Sequence, residues 1–168
     1  ITDSNFGMYP SDIDTCKAFK TTREKYGWPE YIIASTGKNK KERVMEAASI
    51  VDGAMSLAGS VQSLDKDVLT NVKRKNISIP QLVDLGLSAA KTGVNSYSEL
   101  ILGLPGDTKD AHLSTIKGVI DAGFNIVLPW QLMLLPGSEL ETKATRKQYG
   151  FQTKYRVLPR CFGYFKAL

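Results

Sequence analysis

Glu99 is the residue whose type and position most suggest chemistry in this sequence. It stands at the start of a short apolar run, Leu100 to Leu102, which is bounded by turn residues and is typical of a buried strand. A carboxylate at such a position needs a partner or a ligand, because burying an unpaired charge is costly. The residues alone leave two interpretations open: a Glu that caps or forms a salt bridge at the strand's start, and a Glu that binds a ligand.

A glycine-rich turn, Gly103-Leu104-Pro105-Gly106, follows this strand and leads into Asp107 and Thr108. Glycines permit sharp turns and let a ligand come close to the backbone. Asp107 or Thr108 can cap a helix that the pattern predicts over Lys109 to Ala122. Strand, glycine turn and helix together form the repeating unit of parallel α/β sheets and barrels.

The other reactive residue types form no recognisable catalytic motif. His112 lies early in the predicted helix without a motif partner, and we expect it at the surface. Cys16 and Cys161 lack metal-binding spacing and are interpreted as free thiols in a reducing cytoplasm. The basic run Lys38 to Lys41 is interpreted as a solvated helix start. No G-x-S-x-G, P-loop or G-x-G-x-x-G pattern occurs.

Strands alternate with helices along the rest of the chain, at the spacing of βαβ units. This predicts an α/β protein with a parallel sheet, either open and doubly wound or a barrel, and a ligand site at the carboxyl ends of its strands. The predicted strands are a strand end at Ile1 to Gly7, Glu30 to Ser35, Ala54 to Val61, Glu99 to Leu102, and one near Ile126 to Leu128 or Gln131 to Leu134. The predicted helices are Asp12 to Tyr26 with Ser11 as a possible cap, Lys40 to Ile50, Asp65 to Lys75, Ile79 to Thr92, Lys109 to Ala122 and Ser138 to Gly150.

Length and composition are those of a globular domain or part of one, with 168 residues, 42% of them hydrophobic and 23% charged. The net charge of +5 permits an anionic ligand, but no basic stripe interleaved with aromatics indicates nucleic acid. No apolar run reaches membrane-spanning length and no signal peptide opens the chain, so we expect a cytoplasmic location. The chain starts at Ile1 without a methionine, on what resembles a strand end, and we expect it to be a fragment of a longer polypeptide.

Three segments together carry a resemblance to a known family. Ser60-Val61-Gln62-Ser63, with Val68-Leu69 and Arg74 after it, is similar to a strand-end "VQS" followed by "vL…R". The stretch from Glu99 to Thr108 is similar to "D/E-L-I-x-G-L-P-G-x-T", and Asp3-Ser4-Asn5-Phe6 to a "D-x-N-F" strand end. Together these segments resemble motifs of the radical S-adenosylmethionine superfamily. The resemblance is to the branch that contains coproporphyrinogen dehydrogenases, tRNA methylthiotransferases and cobalamin-binding methylases and cyclases.

The resemblance implies a fold and cofactors. It covers strands two to six of the family's six-stranded partial (β/α) barrel, with residues 1–150 forming that truncated barrel and 151–168 a C-terminal extension. The implied chemistry is one-electron cleavage of S-adenosylmethionine, in which a four-iron four-sulfur cluster supplies the electron and a 5′-deoxyadenosyl radical abstracts a substrate hydrogen. The CxxxCxxC motif that holds the cluster is absent here, so we expect its ligands upstream of Ile1 and expect this fragment alone to be inactive. A cobalamin domain upstream is a further expectation.

The resemblance also implies cofactor-binding roles for individual residues. Gln62 matches the position that hydrogen-bonds the ribose hydroxyls, and Ser60 lies in the same motif. Arg74, placed on the following helix, matches the residue that binds the methionine carboxylate, and Glu99 the acidic residue that contacts the ribose or the methionine amine. Asp3, Ser4 and Asn5 occupy the place of the motif that receives the methionine amino group, although the family's Gly-Gly-Glu is missing. Residues expected to line the adenine are Gly103, Leu104, Pro105, Met133 and Leu134.

Two other function classes stay open: a βα-barrel enzyme that binds a phosphorylated metabolite, and a cluster-less barrel that serves as an interaction module. No protein metal ligand is expected within the chain. The substrate cannot be deduced from the sequence. The expected partners are the missing N-terminal segment of the same polypeptide and, through the exposed edge of a truncated barrel, further copies of the fragment.

Overall fold

Helices and parallel strands alternate along the computed structural model, which describes residues 1–37, 39–75 and 77–155. By its contacts the chain divides into a compact unit from Ile1 to Leu132 and a second unit that begins at Met133. The domain limits at residues 150 and 151 stay a prediction, and most of the expected C-terminal extension, with Cys161, lies outside the described residues. The described helices are α1 (Pro10–Tyr26), α2 (Lys41–Ile50), α3 (Lys66–Asn71), α4 (Ile79–Thr92), α5 (Lys109–Asp121) and α6 (Lys143–Tyr149), and the strands are β1 (Leu57–Ala58), β2 (Ser96–Leu102) and β3 (Ile126–Gln131).

Parallel pairing joins the three strands in the order β1-β2-β3. Leu57 is in register with Ser96, and Tyr97 with Ile126. Three single parallel bridges extend this pairing: Phe6 with Thr36, Ile32 with Met55, and Gln62 with Leu100. The prediction of an α/β protein with a parallel sheet is therefore confirmed.

Two of the predicted strands are much shorter in the structure. The segment Glu30 to Ser35 has only the bridge at Ile32, whose N–H donates to the Ala54 carbonyl at 2.7 Å, and Ala54 to Val61 is reduced to β1 and two bridges. The segment nevertheless shows the alternation typical of a strand, because Ile32 and Ala34 are buried while Tyr31 and Ile33 are exposed. The backbone from Glu30 to Ser35 pairs with neighbouring segments of the sheet only at isolated residues.

Local hydrogen bonds set the helix limits, and these explain the differences from prediction. Helix α1 begins at Pro10 rather than Asp12, because the Asp12 carboxylate accepts hydrogen bonds from the N–H groups of Gly7 and Tyr9, at 2.9 and 3.0 Å, and Ser11 lies inside the helix. Helix α4 has its predicted limits, with Ser78 and Gln81 forming a capping box. The last predicted helix is interrupted at Thr142, which is extended and caps α6 through its hydroxyl.

The hydrophobic core lies between the helices and one face of the sheet. Ser96, Ser98 and Leu100 of β2 are buried, whereas Tyr97 and Glu99 on the opposite face are only partly covered. Residues that alternate along a strand lie on opposite faces, so β2 presents its polar, ionisable side chains away from this core. The core side chains with the least exposure include Cys16, Ala47, Val51, Met55, Leu57, Val61, Leu82, Ala89, Leu100 and Val119.

The expectation that His112 lies at the surface is wrong. His112 is 8% exposed, and its Nδ1 lies 3.4 Å from Oδ2 of Asp107, another enclosed side chain. His112, Thr115 and Val119 form the buried stripe of α5, and two polar members made that stripe hard to recognise in the sequence. Thr108 caps α5 by accepting from the Ala111 N–H at 3.1 Å, so Asp107 is left to pair with the histidine.

Within the described residues, the structure holds no helix that is long and apolar enough to cross a membrane.

Two helical glycines provide a matched test of how closely the elements pack. A Cβ at Gly86 in α4 would overlap the carbonyl oxygen of Ala122, whereas a Cβ at Gly118 in α5 would meet a methyl group of Leu64 at 2.7 Å. We expect Gly86→Ala to lower the free energy of unfolding by roughly 1–3 kcal/mol, because a backbone carbonyl cannot move aside. Gly118→Ala should be neutral or stabilising by up to about 1 kcal/mol, because the leucine can shift and alanine favours helix. Urea denaturation of both variants measures this, and equal effects would contradict the packing described.

The Cys16 thiol provides a pH-dependent test of the core. Burial, and then the charge of Asp12, raise the pKa of Cys16 from 9.0 to about 11. Between these values the folded chain keeps a proton that the unfolded chain has lost, so the free energy of unfolding should fall as pH rises through this range, by ~2–3 kcal/mol from this group. Cys16→Ala removes that contribution, so its stability deficit should shrink between about pH 8 and about pH 11. Denaturation at both pH values measures the deficit, and a constant deficit would show that the thiol does not titrate in this way.

Candidate functional site

A cavity of about 440 Å³ opens within the first unit, on the side of β2 that carries Tyr97 and Glu99. Four of the twelve predicted cofactor-binding residues lie in its wall: Ser60, Gln62, Arg74 and Glu99. Further polar residues of the wall are Ser35, Thr36, Asn39, Lys41, Lys75 and Tyr97. The volume lies within the usual range for sites that enclose a small molecule.

Glu99 is held by two neutral hydrogen-bond donors. The Ser60 hydroxyl donates to its Oε2 at 2.8 Å, and the Trp130 indole N–H donates to its Oε1 at 3.1 Å. Within the described part of the chain, no Lys or Arg forms an ion pair with Glu99. Its carboxylate is thus oriented without being neutralised, and its remaining lone pairs can accept from a ligand.

The role of Trp130 was missed by the sequence analysis. In the parallel register Leu128 lies opposite Glu99, and Trp130 is two residues further along β3, within diagonal reach. The prediction of the last strand gave two alternatives, Ile126 to Leu128 or Gln131 to Leu134. Because the observed β3 runs from Ile126 to Gln131, the register needed to find this contact could not be deduced beforehand.

Gln62 has an unusual backbone conformation and an unsatisfied side chain. Its φ is +58°, in the left-handed region that non-glycine residues rarely adopt. Two backbone hydrogen bonds hold it there, from its own N–H to the Glu99 carbonyl at 3.0 Å and from the Ile101 N–H to its carbonyl at 2.9 Å. The side-chain Oε1 is buried and has no donor among the described residues. Strained residues with unpaired polar atoms are typical of ligand sites.

Arg74 reaches the cavity from a turn rather than from a helix as predicted. Helix α3 ends at Asn71 because Lys73 adopts a left-handed conformation, with φ +55°. The Arg74 N–H then donates to the Leu69 carbonyl at 2.9 Å, and the Lys73 N–H to Thr70 at 3.0 Å, which is the Schellman pattern of helix ends. Arg74 is exposed, at the rim of the cavity.

Lys41 contradicts the interpretation of its basic run as a solvated helix start. It is the first residue of α2, and its Nζ is buried without a hydrogen-bond partner among the described residues. Burial lowers the pKa of Lys41, an effect that the negative charge of Asp84 partly opposes. The sequence shows only that a lysine begins a helix, and not which way its side chain lies. Lys38, in the same run, is outside the described residues.

The charge pattern of the cavity defines what it can bind. Burial, and then the charge of Glu99, raise the pKa of Tyr97, so its hydroxyl stays protonated at neutral pH. The wall then carries three cationic side chains, Lys41, Arg74 and Lys75, and one carboxylate, Glu99. A complementary ligand has hydroxyl or amine donors for Gln62 and Glu99, and an anionic group for the cations.

The other eight predicted site residues, Pro105 and Leu134 among them, do not belong to the described wall of this cavity, and their roles stay predictions. Asp3, Ser4 and Asn5 are exposed, and the Asp3 carboxylate accepts from the Asn5 N–H at 2.8 Å. Gly103 and Leu104 form the turn after β2, where Leu104 is buried and Gly103 has a φ of +84°. Met133 is exposed at the start of the second unit.

The described residues contain no group of three or more His, Cys, Asp or Glu side chains that could hold a metal ion. They therefore do not fit an iron–sulfur cluster, which needs several thiolate ligands.

Comparison with known proteins identifies relatives of this chain. No family model matches it. It is 34% identical over 157 residues to the cobalamin-dependent radical SAM methyltransferase TokK of Streptomyces tokunonensis. It is 31% identical over 157 residues to the 2-(S-pantetheinyl)-carbapenam-3-carboxylate methyltransferase of Streptantibioticus cattleyicolor. Each alignment covers 91% of this chain but only 23% of the relative, so the chain spans about a quarter of these proteins.

A solved structure supports the fold. The radical S-adenosylmethionine methyltransferase TsrM from Kitasatospora setae, with tryptophan substrate and a SAM analogue bound, superposes on 77% of this chain and 26% of its own with a TM-score of 0.51. The sequence identity is 11%, so this likeness concerns the fold alone. The sequence relatives confirm the resemblance found in the motifs: the chain belongs to the radical S-adenosylmethionine superfamily, in the branch that includes cobalamin-dependent members such as TokK.

Proposed function

We propose that the cavity beside Glu99 is the S-adenosylmethionine site of a cobalamin-dependent radical enzyme, of which this chain is a part. One observation carries the proposal: residues that the superfamily's motifs mark as cofactor-binding meet in one cavity although they are far apart in sequence. Ser60 and Glu99, which are 39 residues apart, are hydrogen-bonded there, and Gln62 and Arg74 lie in the same wall.

The groups of the cofactor fit the unsatisfied groups of the cavity. The buried Oε1 of Gln62 has no hydrogen-bond donor in the described chain, and a ribose hydroxyl would supply one. Glu99 still has lone pairs that can accept from a second hydroxyl or from an ammonium group. The carboxylate of the methionine part finds cations at Lys41, Arg74 and Lys75. In this proposal Ser60 and Trp130 do not touch the cofactor, but fix the orientation of the Glu99 carboxylate.

Binding and orientation are the contributions we assign to this chain. When bound, the cofactor supplies the reactive carbon, through the reductive cleavage of S-adenosylmethionine that the superfamily resemblance implies. The iron–sulfur cluster and the cobalamin would be held by other parts of the full-length protein, since the described residues offer the cluster no ligand set. The substrate is a separate question, on which the relatives differ.

We also propose that the parallel segments are strands two to six of a partial barrel. Each parallel segment pairs with the next one along the chain. A bridge joins Phe6 with Thr36, a second bridge joins Ile32 with Met55, and β1 pairs with β2 and β2 with β3. Such sequential parallel order, with helices between the strands, is how β/α barrels are built. The cavity then lies where these enzymes place their ligands, at the carboxyl ends of the strands.

The cofactor site is tested by removing one hydrogen-bonding group at a time. We expect Gln62→Ala to weaken S-adenosylmethionine binding to this chain by ~1–3 kcal/mol, the range for a buried polar group that loses its partner. Arg74→Ala should weaken it by up to ~1 kcal/mol, the range for an ion pair at an exposed position. Gln148→Ala, at an exposed position of α6, is the control for Gln62→Ala, and Lys66→Ala, at an exposed position of α3, is the control for the charge lost in Arg74→Ala. Both control variants should bind S-adenosylmethionine as the unaltered chain does. Isothermal titration calorimetry measures the affinities.

A second readout uses the indole of Trp130. The sequence has two tryptophans, so Trp28→Phe leaves Trp130 as the only emitter. Because its N–H donates to Glu99, a ligand in the cavity should change its fluorescence. Unchanged affinity in both the Gln62 and Arg74 variants, with no fluorescence response, would show that the site is elsewhere.

A further inference from the structure

We propose that Lys41 is the carboxylate-binding residue of this cavity. The motifs of the superfamily do not mark this position, and they place that role on Arg74. If the bound carboxylate is that of S-adenosylmethionine, this inference rests on the proposed function. If the carboxylate belongs to a separate organic acid, the inference is independent of the proposed function.

The first argument is the burial of the Lys41 amine. Lys41 is one of the residues that line the cavity, and its Nζ is shielded from solvent and has no hydrogen-bond partner among the described residues. Asp84 on α4 acts on it through its charge, but the two form no ion pair in the described chain. An ammonium group left in this state costs free energy, because it has lost water and gained no acceptor. A ligand that brings an acceptor oxygen recovers that cost.

The second argument is the contrast with neighbouring cations. Arg43, two residues further along α2, donates to the Met8 carbonyl and is thereby occupied. Lys40, Arg74 and Lys75 are exposed, so water and salt screen their charges. The attraction between opposite charges is several times stronger where water is excluded. Of these five cations, Lys41 is therefore the one placed to select an anion inside the cavity.

The third argument concerns the class of anion. Arg74 and Lys75 are exposed, so Lys41 is the buried cation of the described wall, and Glu99 and Gln62 present acceptor oxygens in the same wall. This arrangement disfavours a group with several negative charges. A single ammonium best complements a single negative charge, and a carboxylate also accepts hydrogen bonds from hydroxyls such as those of Ser35 and Thr36. The geometry thus favours a monovalent carboxylate over a phosphate.

The experiment compares two lysines that lie next to each other in the sequence. Lys41→Met and Lys40→Met remove the same charge, one inside the cavity and one at the exposed start of α2. Affinities are measured by calorimetry for S-adenosylmethionine and for its decarboxylated analogue, which lacks only the carboxylate. In a separate arm, the NMR signal of the Lys41 side chain in the unaltered chain, assigned by comparison with Lys41→Arg, is followed on addition of S-adenosylmethionine, acetate or inorganic phosphate.

If the cofactor supplies the carboxylate, Lys41→Met weakens binding of S-adenosylmethionine about tenfold or more, leaves the decarboxylated analogue unchanged, and Lys40→Met has no effect. If a separate acid supplies it, acetate shifts the NMR signal of Lys41 more than phosphate does, even where S-adenosylmethionine fails to bind. That second result would refute the proposed function and uphold this inference.

The role of Lys41 is overturned if the two lysine variants, or the two cofactor forms, show equal losses and no carboxylate, acetate included, shifts the NMR signal of Lys41. The NMR arm uses the unaltered chain and takes its assignment from Lys41→Arg, so it decides the question even if Lys41→Met does not fold. Lys41→Arg, which keeps the charge, should retain more affinity than Lys41→Met.

Discussion

The pairing of Gln62 with the backbone around Leu100 is the interaction on which the candidate site depends. Two hydrogen bonds, one to the Glu99 carbonyl and one from the Ile101 N–H, tie the chain beyond β1 to the middle of β2. They hold Gln62 in a left-handed conformation that its side chain disfavours, which costs about 1–3 kcal/mol and persists only where the surroundings impose it. The same pairing lets Ser60 reach the Glu99 carboxylate. Without it, neither polar group would be fixed in the cavity.

The alternation of β2 divides structural and ligand-binding tasks between its two faces. Ser96 and Ser98 face the core and are satisfied internally, by Asn125 and by the Gly59 carbonyl. Tyr97 and Glu99 face the cavity, where Glu99 accepts from Ser60 and Trp130 and still has capacity for a ligand. A half-buried carboxylate is tolerable here because both of its oxygens have donors, although none of these donors cancels its charge.

Local sequence signals predicted the elements well, and contacts between elements poorly. The limits of α4 followed from Ser78, Pro80 and Gly93, since caps and helix starts depend on neighbouring residues. The parallel order of the strands followed from the alternation of strands and helices in the sequence. The motifs indicated that four residues share one cavity, namely Ser60, Gln62, Arg74 and Glu99. Three features could not be predicted: the Trp130 bond, the buried His112–Asp107 pair and the buried amine of Lys41. Each depends on strand register or on side-chain direction, which residue type and spacing do not determine.

Family resemblance and physical environment lead to different expectations for the anion-binding residue. A motif transfers a role to Arg74 by position, but that guanidinium is exposed to water, where an ion pair contributes little free energy. The buried ammonium of Lys41 has already lost its water in the ligand-free chain, so an incoming carboxylate gains the attraction without dehydrating the lysine again. Arg74 at the rim and Lys41 inside can therefore act at successive stages, the first attracting an anion toward the cavity and the second retaining it. On this argument the loss of Arg74 should slow association, whereas the loss of Lys41 should speed dissociation.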